Sequence, residues 1–268
     1  MIQVDLEKCC RCGACVKDCV VNVLQLPEEG VPFALPEREA GCMHCGHCLA
    51  VCPTGALTCD GKSAADCEPL GVIPKPEEMI QLIRQRRSIR QWKEQPIDDE
   101  ILEKLKSSLD WAPTGCNVHN LQFIIVDSPA RMEWLKARIY SRLRNRLVNF
   151  ICKLFRPKFA RFMDYILSGD DVIFFGAPAM IVALVPKNAP CADFDPVIAL
   201  TQFGLCAQTF GLGTCWCGFA QGILEKVPGM KKLLAVPAGY RVGAVMLFGW
   251  PDVKYHRCTK PEPFEKRS

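Results

Sequence analysis

Eight cysteines near the start of the chain have the spacing of a metal–sulfur centre. They form two runs at an offset of 33 residues, namely Cys9, Cys12, Cys15 and Cys19, followed by Cys42, Cys45, Cys48 and Cys52. Thiolates are soft ligands for iron. Three at three-residue spacing can hold one 4Fe–4S cube, and the fourth reaches the neighbouring cube. The spacing therefore predicts two 4Fe–4S clusters. The predicted ligands are Cys9, Cys12, Cys15 and Cys52 for the first cluster, and Cys42, Cys45, Cys48 and Cys19 for the second.

Zinc is the alternative occupant, because it also binds paired Cys-x2-Cys elements. Zinc uses two pairs per ion rather than two runs of four, so the repeat favours clusters. Cys10, Cys59 and Cys67 lie outside the pattern and are interpreted as structural or incidental. His44 and His47 lie between predicted ligands. We interpret them as side chains around the ligands or facing solvent, and not as ligands.

A second chemistry is indicated by an arginine-rich segment, Arg-Arg-Ser-Ile-Arg at residues 86–90. Arg86 and Arg90 share a helical face at i, i+4, where like charges repel unless an anion lies between them. Guanidinium groups bind phosphate in a bidentate manner. Taken alone, the segment is either a phosphate site or a solvated basic surface.

The elements that must position these groups divide into two domains joined by a linker. Residues 61–76 lose periodicity and are rich in Gly and Pro, so they predict a linker between domains over 1–60 and 77–268. In the second domain, periodicity predicts helices over 77–87, 98–111, 131–150 and 196–210, and strands over 121–126, 179–184, 214–217 and 240–248. This alternation predicts an α+β domain with a mixed sheet covered by helices. No Gly-x-Gly-x-x-Gly follows a strand, which disfavours a dinucleotide fold.

Two families resemble this chain. Residues 1–60 resemble the bacterial two-cluster ferredoxins, although Val20 replaces the proline that usually follows the fourth cysteine. Residues 77–268 resemble the FMN-dependent nitroreductases through motifs in family order. The motifs are Arg-Arg-Ser-x-Arg at 86–90, the Ala-Pro-Thr-Gly-Cys-Asn-Val-His-Asn segment at 112–120, Gly-Ala-Pro at 176–178, the Gly-Leu-Gly-Thr-Cys-Trp-Cys-Gly segment at 211–218, and Gly-Trp-Pro at 249–251.

The second resemblance implies an FMN site and a homodimer with FMN at the subunit interface. The residues it implies as FMN contacts are Arg86, Arg87, Ser88, Arg90, Asn117, His119, Thr214, Cys215, Trp216, Cys217, Gly218, Arg257 and Lys260. His119 stands where the family commonly has Gln. It either keeps a hydrogen bond or donates a proton to reduced substrate, since imidazole titrates near neutral pH.

Other polar groups of this domain have alternative interpretations. Cys215 and Cys217 are either a redox pair or, as we prefer, small groups packed beside the flavin, because alternate strand residues seldom form disulfides. Asp193 and Asp195 are predicted to cap a helix. Residues 131–161 hold ten basic residues and one acidic residue. That segment is a solvated face, a lid or docking surface for anionic partners, or a membrane-surface element.

The two resemblances together imply an iron–sulfur flavoprotein oxidoreductase that passes electrons through two 4Fe–4S clusters to FMN. FMN would then reduce a nitroaromatic, a quinone or an enone. The alternatives are an electron-transfer module serving a partner protein, and a reductive dehalogenase or flavin-fragmenting enzyme. The expected electron donor is ferredoxin, flavodoxin or NAD(P)H.

Composition limits the remaining classes. The net charge of +4 is too weak to indicate nucleic-acid binding. The N-terminus lacks the pattern of a secretory signal and no apolar stretch is long enough to span a membrane. Eighteen cysteines then indicate metal binding in a reducing cytoplasm rather than disulfides.

Overall fold

The structure, a computed structural model, describes residues 2–28, 30–145, 165–260 and 262–265. The chain forms two compact units. The first unit comprises residues 1–73 together with Cys116–Val118. The second comprises residues 74–115 and 119–268. The predictions over 146–150 and 146–161 lie outside the described residues.

The first unit is built from two short halves that reproduce the 33-residue repeat. Its elements are β1 (Ile2–Val4), α1 (Ala14–Asp18), β2 (Leu24–Gln25), β3 (Phe33–Ala34), α2 (His47–Ala50) and β4 (Leu57–Cys59). Antiparallel pairing joins β1 to β4 and β2 to β3. Gly13 and Gly46, at equivalent positions, precede α1 and α2 with φ of 70° and 69°. Left-handed backbone of this kind favours glycine.

The second unit is a four-stranded sheet with helices on both faces, which confirms the α+β class. Its elements are α3 (Pro76–Gln85), α4 (Asp99–Asp110), β5 (Gln122–Val126), α5 (Pro129–Leu143), β6 (Ala179–Pro186), α6 (Asp195–Thr209), β7 (Gly213–Trp216), α7 (Gly218–Lys226), α8 (Met230–Leu233) and β8 (Tyr240–Gly249). The strand order is β5-β6-β8-β7, with antiparallel neighbours. A parallel bridge joins Ser88 to Thr214 of β7.

Two apolar cores lie on opposite faces of this sheet. Successive residues of β6 alternate between them, with Met180 and Val182 in one core and Ile181 and Ala183 in the other. A strand buried on both faces has the continuous apolar sequence seen in β6. The predicted strands and helices agree with the described ones to within a few residues, and α7 and α8 are additions that periodicity did not predict.

Candidate cofactor sites

The first unit contains two cavities with cysteine walls. One is lined by Cys9, Cys12, Cys15 and Cys52, and the other by Cys19, Cys42, Cys45 and Cys48. The last cysteine of each run thus lies at the cavity of the opposite run, where a cross-paired double-cluster site requires it. The donors are thiols, which suit iron–sulfur clusters. In the described part of the chain, no three His, Cys, Asp or Glu side chains are grouped as ligands of a single metal ion.

Burial and backbone amides set different environments for these thiols. Burial raises the pKa of Cys15 and of Cys48. For Cys52, burial also raises the pKa, but hydrogen bonds led by the amide of Ala56, at 3.3 Å, outweigh it and leave the pKa below its usual value. Amide hydrogen bonds to a sulfur stabilise its anionic form.

Both histidines of this unit bond to carboxylates. His44 Nδ1 lies 2.5 Å from Asp60 Oδ2, and His47 Nδ1 lies 3.0 Å from Asp18 Oδ2. The backbone amide of His44 donates to Cys42 Sγ at 3.4 Å. Both rings therefore face carboxylates, and more than half of each histidine side chain is exposed.

Asn117 belongs to the first unit by its contacts. Its side-chain amide donates to the carbonyl oxygens of Met43 and His44 at 3.1 and 3.2 Å. It therefore contacts the loop between Cys42 and Cys45, a position that the resemblance to the flavin family did not suggest. His119, two residues on, is exposed with a φ of 40°, and its backbone amide donates to Thr114 Oγ1 at 3.0 Å.

Cys59 is the residue that the sequence interpretation missed. It is buried and lines the same cavity as Cys19, Cys42, Cys45 and Cys48. Burial raises the pKa of its thiol to about 12, and the neighbouring Cys48 and Asp60 add to the rise. The signal that could have found it is the alternation of β4, whose Leu57 and Cys59 share the buried face.

The second unit contains a cavity of about 160 Å³ at the arginine-rich segment. Its polar wall includes Gln85, Arg86, Arg87, Gln208 and Thr214. The cavity lies where α3, the end of α6, the start of β7 and the segment after β8 meet.

Two features of this wall fit an anionic, hydroxyl-bearing ligand. The guanidinium groups of Arg86 and Arg87 supply positive charge, and Arg87 is braced by a hydrogen bond of 3.0 Å to Thr259 Oγ1. Gln208 Nε2 donates to the carbonyl of Leu82 at 3.0 Å. Its Oε1 is buried and has no hydrogen-bond partner among the described residues. A buried acceptor without a partner costs free energy that a ligand hydroxyl would recover. The residues present therefore fit FMN, with its phosphate and ribityl hydroxyls.

Strand β7 aligns the arginine-rich segment. Ile89 N donates to Thr214 O at 2.9 Å. Gly213 faces Ile89 so closely that a Cβ there would lie 2.4 Å from Ile89 Cγ1. Burial raises the pKa of the Cys215 thiol, while the charges of Arg90 and Arg86 and a hydrogen bond with Ser88 oppose the rise. The structure thus brings together six of the predicted flavin contacts: Arg86, Arg87, Ser88, Arg90, Thr214 and Cys215.

The remaining predicted contacts differ in exposure. Cys217 is buried and donates to Ile173 O at 3.2 Å, and burial raises the pKa of its thiol to about 12. Cys215 and Cys217 are both free thiols. The exposed residues among them are Trp216, Gly218, Arg257 and Lys260.

A turn before β6 holds an aromatic ring beside Arg90. The Arg90 guanidinium lies 5.5 Å from the centroid of Phe175, a non-glycine residue with φ of 54°. Asp171 fixes this turn, since its carboxylate accepts from the amides of Phe174 and Gly176 at 2.9 and 2.8 Å and from Tyr140 Oη. No local sequence pattern marks Asp171 for this role.

The prediction that Asp193 and Asp195 cap a helix is wrong. Phe194 is the N-cap of α6, with no side-chain cap bond. Asp195 is buried and accepts from the amide of Gly115 at 3.1 and 3.3 Å, and Asp193 pairs with Arg241. A carboxylate at a helix start can serve another segment when tertiary packing brings an unsatisfied amide to it.

No helix among the described residues is long and apolar enough to cross a membrane.

Comparisons with known proteins match both parts of the chain. Residues 83–250, more than half of the chain, match the nitroreductase family model, and residues 8–57 match the 4Fe–4S dicluster domain. An FMN-bound nitroreductase of Bacteroides fragilis aligns with a TM-score of 0.57 and 18% identity, covering 71% of this chain and 99% of that one. An FMN-dependent nitroreductase of Clostridium difficile aligns with a TM-score of 0.54 and 20% identity, covering 72% and 100%.

The N-terminal part also has curated relatives. It is 38% identical over 56 residues to an uncharacterised ferredoxin of Methanocaldococcus jannaschii, covering 21% of this chain and 86% of that protein. It is 42% identical over 62 residues to the methylamine utilization ferredoxin-type protein MauM of Methylorubrum extorquens, covering 20% of this chain and 28% of that protein. The chain therefore spans less than a third of the MauM sequence.

Proposed function

The chain belongs to the nitroreductase family, and from that premise we propose that it is an iron–sulfur flavoprotein whose two clusters feed an FMN-dependent reduction of a small organic substrate. The proposal rests on two cysteine-lined cavities, each of which takes its fourth cysteine from the opposite run. The same chain also has the nitroreductase fold. An FMN enzyme of this family needs a source of electrons, and a double-cluster unit is a one-electron carrier.

The FMN site is assigned to the cavity at the arginine-rich segment. Arg86 and Arg87 would hold the phosphate, because guanidinium pairs bind phosphate oxygens with charge-assisted hydrogen bonds. Gln208 Oε1 would accept from a ribityl hydroxyl, which satisfies its buried lone pairs. When bound, FMN supplies transfer of a hydride or of single electrons.

His119 is proposed as the source of the substrate proton. The residue is exposed, and imidazole is the side chain that most often serves as a general acid. We expect His119→Gln to lower turnover by roughly 10²- to 10⁴-fold, with a flatter pH profile, because general acid catalysis contributes about that much. An FMN content equal to wild type is the control. Full turnover across the pH range would leave only a hydrogen-bonding role.

We also propose that the protein is a homodimer through the apolar faces of α3 and α6. No residue of α3 is buried, and Met79, Ile80 and Ile83 are exposed along it. Near the start of α6, Phe194 and Val197 are exposed. Exposed large apolar side chains on a helix are typical of an interaction surface. Sedimentation of the holoprotein tests this, and a monomer at micromolar concentration would contradict it.

The first experiment is an anaerobic purification that measures iron, acid-labile sulfide and released flavin per chain. About eight irons with one FMN are expected. Four irons would contradict the two-cluster assignment, and eight irons without flavin would contradict the FMN site. Turnover of nitroaromatics, quinones and enones with ferredoxin, flavodoxin or NAD(P)H as donor then tests the substrate class. Electron transfer to a partner protein with no turnover of these compounds would favour an electron-transfer module.

A cytoplasmic location is part of the proposal, since its thiols must stay reduced.

A further inference from the structure

Cys59 is a fifth thiol at the cavity of the second cluster. It is 5% exposed and packs in the core of the first unit with Leu24 and Leu49. The cavity that it lines is also lined by the four predicted ligands Cys19, Cys42, Cys45 and Cys48. Its thiol interacts electrostatically with those of Cys48 and Cys42. A sulfur atom that is outside the ligand pattern therefore faces the space that the cluster would fill.

The backbone around Cys59 is rigid, so the direction of this side chain is well defined. Cys59 pairs with Ile2 across β1 and β4. A two-residue turn follows it, in which Asp60 and Gly61 have φ of 53° and 79°. Cys59 and Lys62 exchange backbone hydrogen bonds of 2.9 and 3.0 Å across that turn. Turns with two positive φ values match the twist of a hairpin.

The thiol of Cys59 donates to a carboxylate that does not line the cavity. Cys59 Sγ donates to Asp60 Oδ2 at 3.7 Å. The Asp60 carboxylate is held in place by His44 Nδ1 at 2.5 Å. Because its proton is bonded to Asp60, the thiol does not offer that proton to the cavity.

The two halves of the repeat differ at the position of this thiol. At an offset of 33 residues, the equivalent of Cys59 is Leu26. Leu26 lies against Gly13, where an added Cβ would be 3.0 Å from Leu26 Cδ2, and Gly13 lines the first cavity. Cys10 also lines the first cavity but is exposed. Leu26 is exposed and does not line the first cavity, so the buried sulfur of Cys59 distinguishes the second cavity from the first.

We propose that Cys59 is a non-ligating thiol that contacts the second cluster and lowers its reduction potential. The assignment rests on the proposed two-cluster function. Cluster potentials depend on the polar groups around the sulfurs. The partial negative charge of a sulfur in a buried site opposes the addition of an electron to an already anionic cluster, since low dielectric strengthens the repulsion.

The test is a redox titration of the anaerobic full-length protein, followed by electron paramagnetic resonance. Cys59→Val fills the site with a strand-compatible apolar side chain and removes the polar sulfur. We expect it to raise the midpoint of one titration step and to leave the other unchanged. The displaced step should be the one that Cys45→Ser also displaces, since Cys45 is a predicted ligand of the second cluster. Cys59→Ser, whose hydroxyl can also donate to Asp60, should keep the midpoint near that of the wild type.

Cys67→Val is the matched control, because Cys67 is exposed and lines neither cluster cavity. The inference is overturned if Cys59→Val leaves both midpoints unchanged, lowers the second one, or moves both equally. Loss of iron from Cys59→Val would overturn it in another way, since Cys59 would then be a ligand. Iron content of the wild type separates these outcomes from failure of the proposed function, which would appear as fewer than about eight irons before any substitution.

Discussion

Gly213 is the position where the smallest substitution should disturb the candidate FMN site. Gly213 is buried on β7, beside the arginine-rich segment. A Cβ there would lie 2.4, 2.9 and 3.2 Å from Cγ1, Cβ and Cγ2 of Ile89. Ile89 is buried and β-branched, so its side chain has little freedom to move aside. In Gly213→Ala, the segment that carries Arg87 and Ser88 must therefore shift away from the strand.

The expected loss of stability follows from two opposing effects. Overpacking of a well-filled core costs about 1–3 kcal/mol. Loss of glycine flexibility in the unfolded chain offsets about 0.4–1 kcal/mol of this. We therefore expect the free energy of unfolding of the second unit to fall by roughly 1–2 kcal/mol. The Kd for FMN should rise as well, because the displaced segment carries Arg86 and Arg87 at the cavity wall.

Urea unfolding followed by tryptophan fluorescence measures this effect. All five tryptophans lie in the second unit, so their emission reports on that unit. Gly222→Ala is the matched control, since no atom lies within 4 Å of its added Cβ. Gly222 is inside helix α7, where Ala is favoured over Gly by about 0.5–1 kcal/mol. The two glycine-to-alanine changes should therefore have opposite signs.

A double-mutant cycle with Ile89→Ala sharpens the test. Removing Cγ1 and Cγ2 relieves two of the three close contacts, so the double variant should be more stable than the sum of the single changes predicts. The packing argument is refuted if Gly213→Ala unfolds at the same urea concentration as wild type and keeps its FMN. Additivity in the cycle would equally refute the contact between Gly213 and Ile89 as the cause.

Two further predictions concern carboxylates that accept backbone amide hydrogen bonds. Asp195→Ala should destabilise the second unit by about 1–3 kcal/mol, because the Gly115 amide loses its acceptor. Urea unfolding measures this loss, and Asp193→Ala at the exposed pair with Arg241 should change stability little. For Asp171, burial raises the pKa, but the hydrogen bond from Tyr140 and the amide bonds outweigh it, so the folded-state pKa is below the usual value of 3.8. The stability that this carboxylate contributes is therefore present above pH 3.8 and is lost as the pH falls through the lower folded-state pKa. Urea midpoints of wild type and Asp171→Asn should converge on acidification, and a gap that does not narrow would contradict this assignment.

Short-range patterns in the sequence were sufficient for the fold class and for the cofactor chemistry. The spacing of the eight cysteines predicts the cross-paired sets because ligand geometry depends on a few residues of a loop. The helices and strands follow from periodicities that act over one or two turns. The arginine-rich segment and the motifs in family order predicted the flavin domain, and the comparison with the nitroreductase family confirms it.

Tertiary structure decided which partner each polar group meets. Asp195 bonds to Gly115, 80 positions away, and Asn117 bonds to Met43, 74 positions away. Neither partner follows from local pattern, because a carboxylate or amide satisfies its hydrogen bonds with whichever group packing brings near. Cys59 likewise lines the cavity because β4 pairs with β1 and directs its alternate side chains inward. The sequence by itself determines which groups are available for cofactor binding, and the long-range packing of strands and loops decides which of them meet.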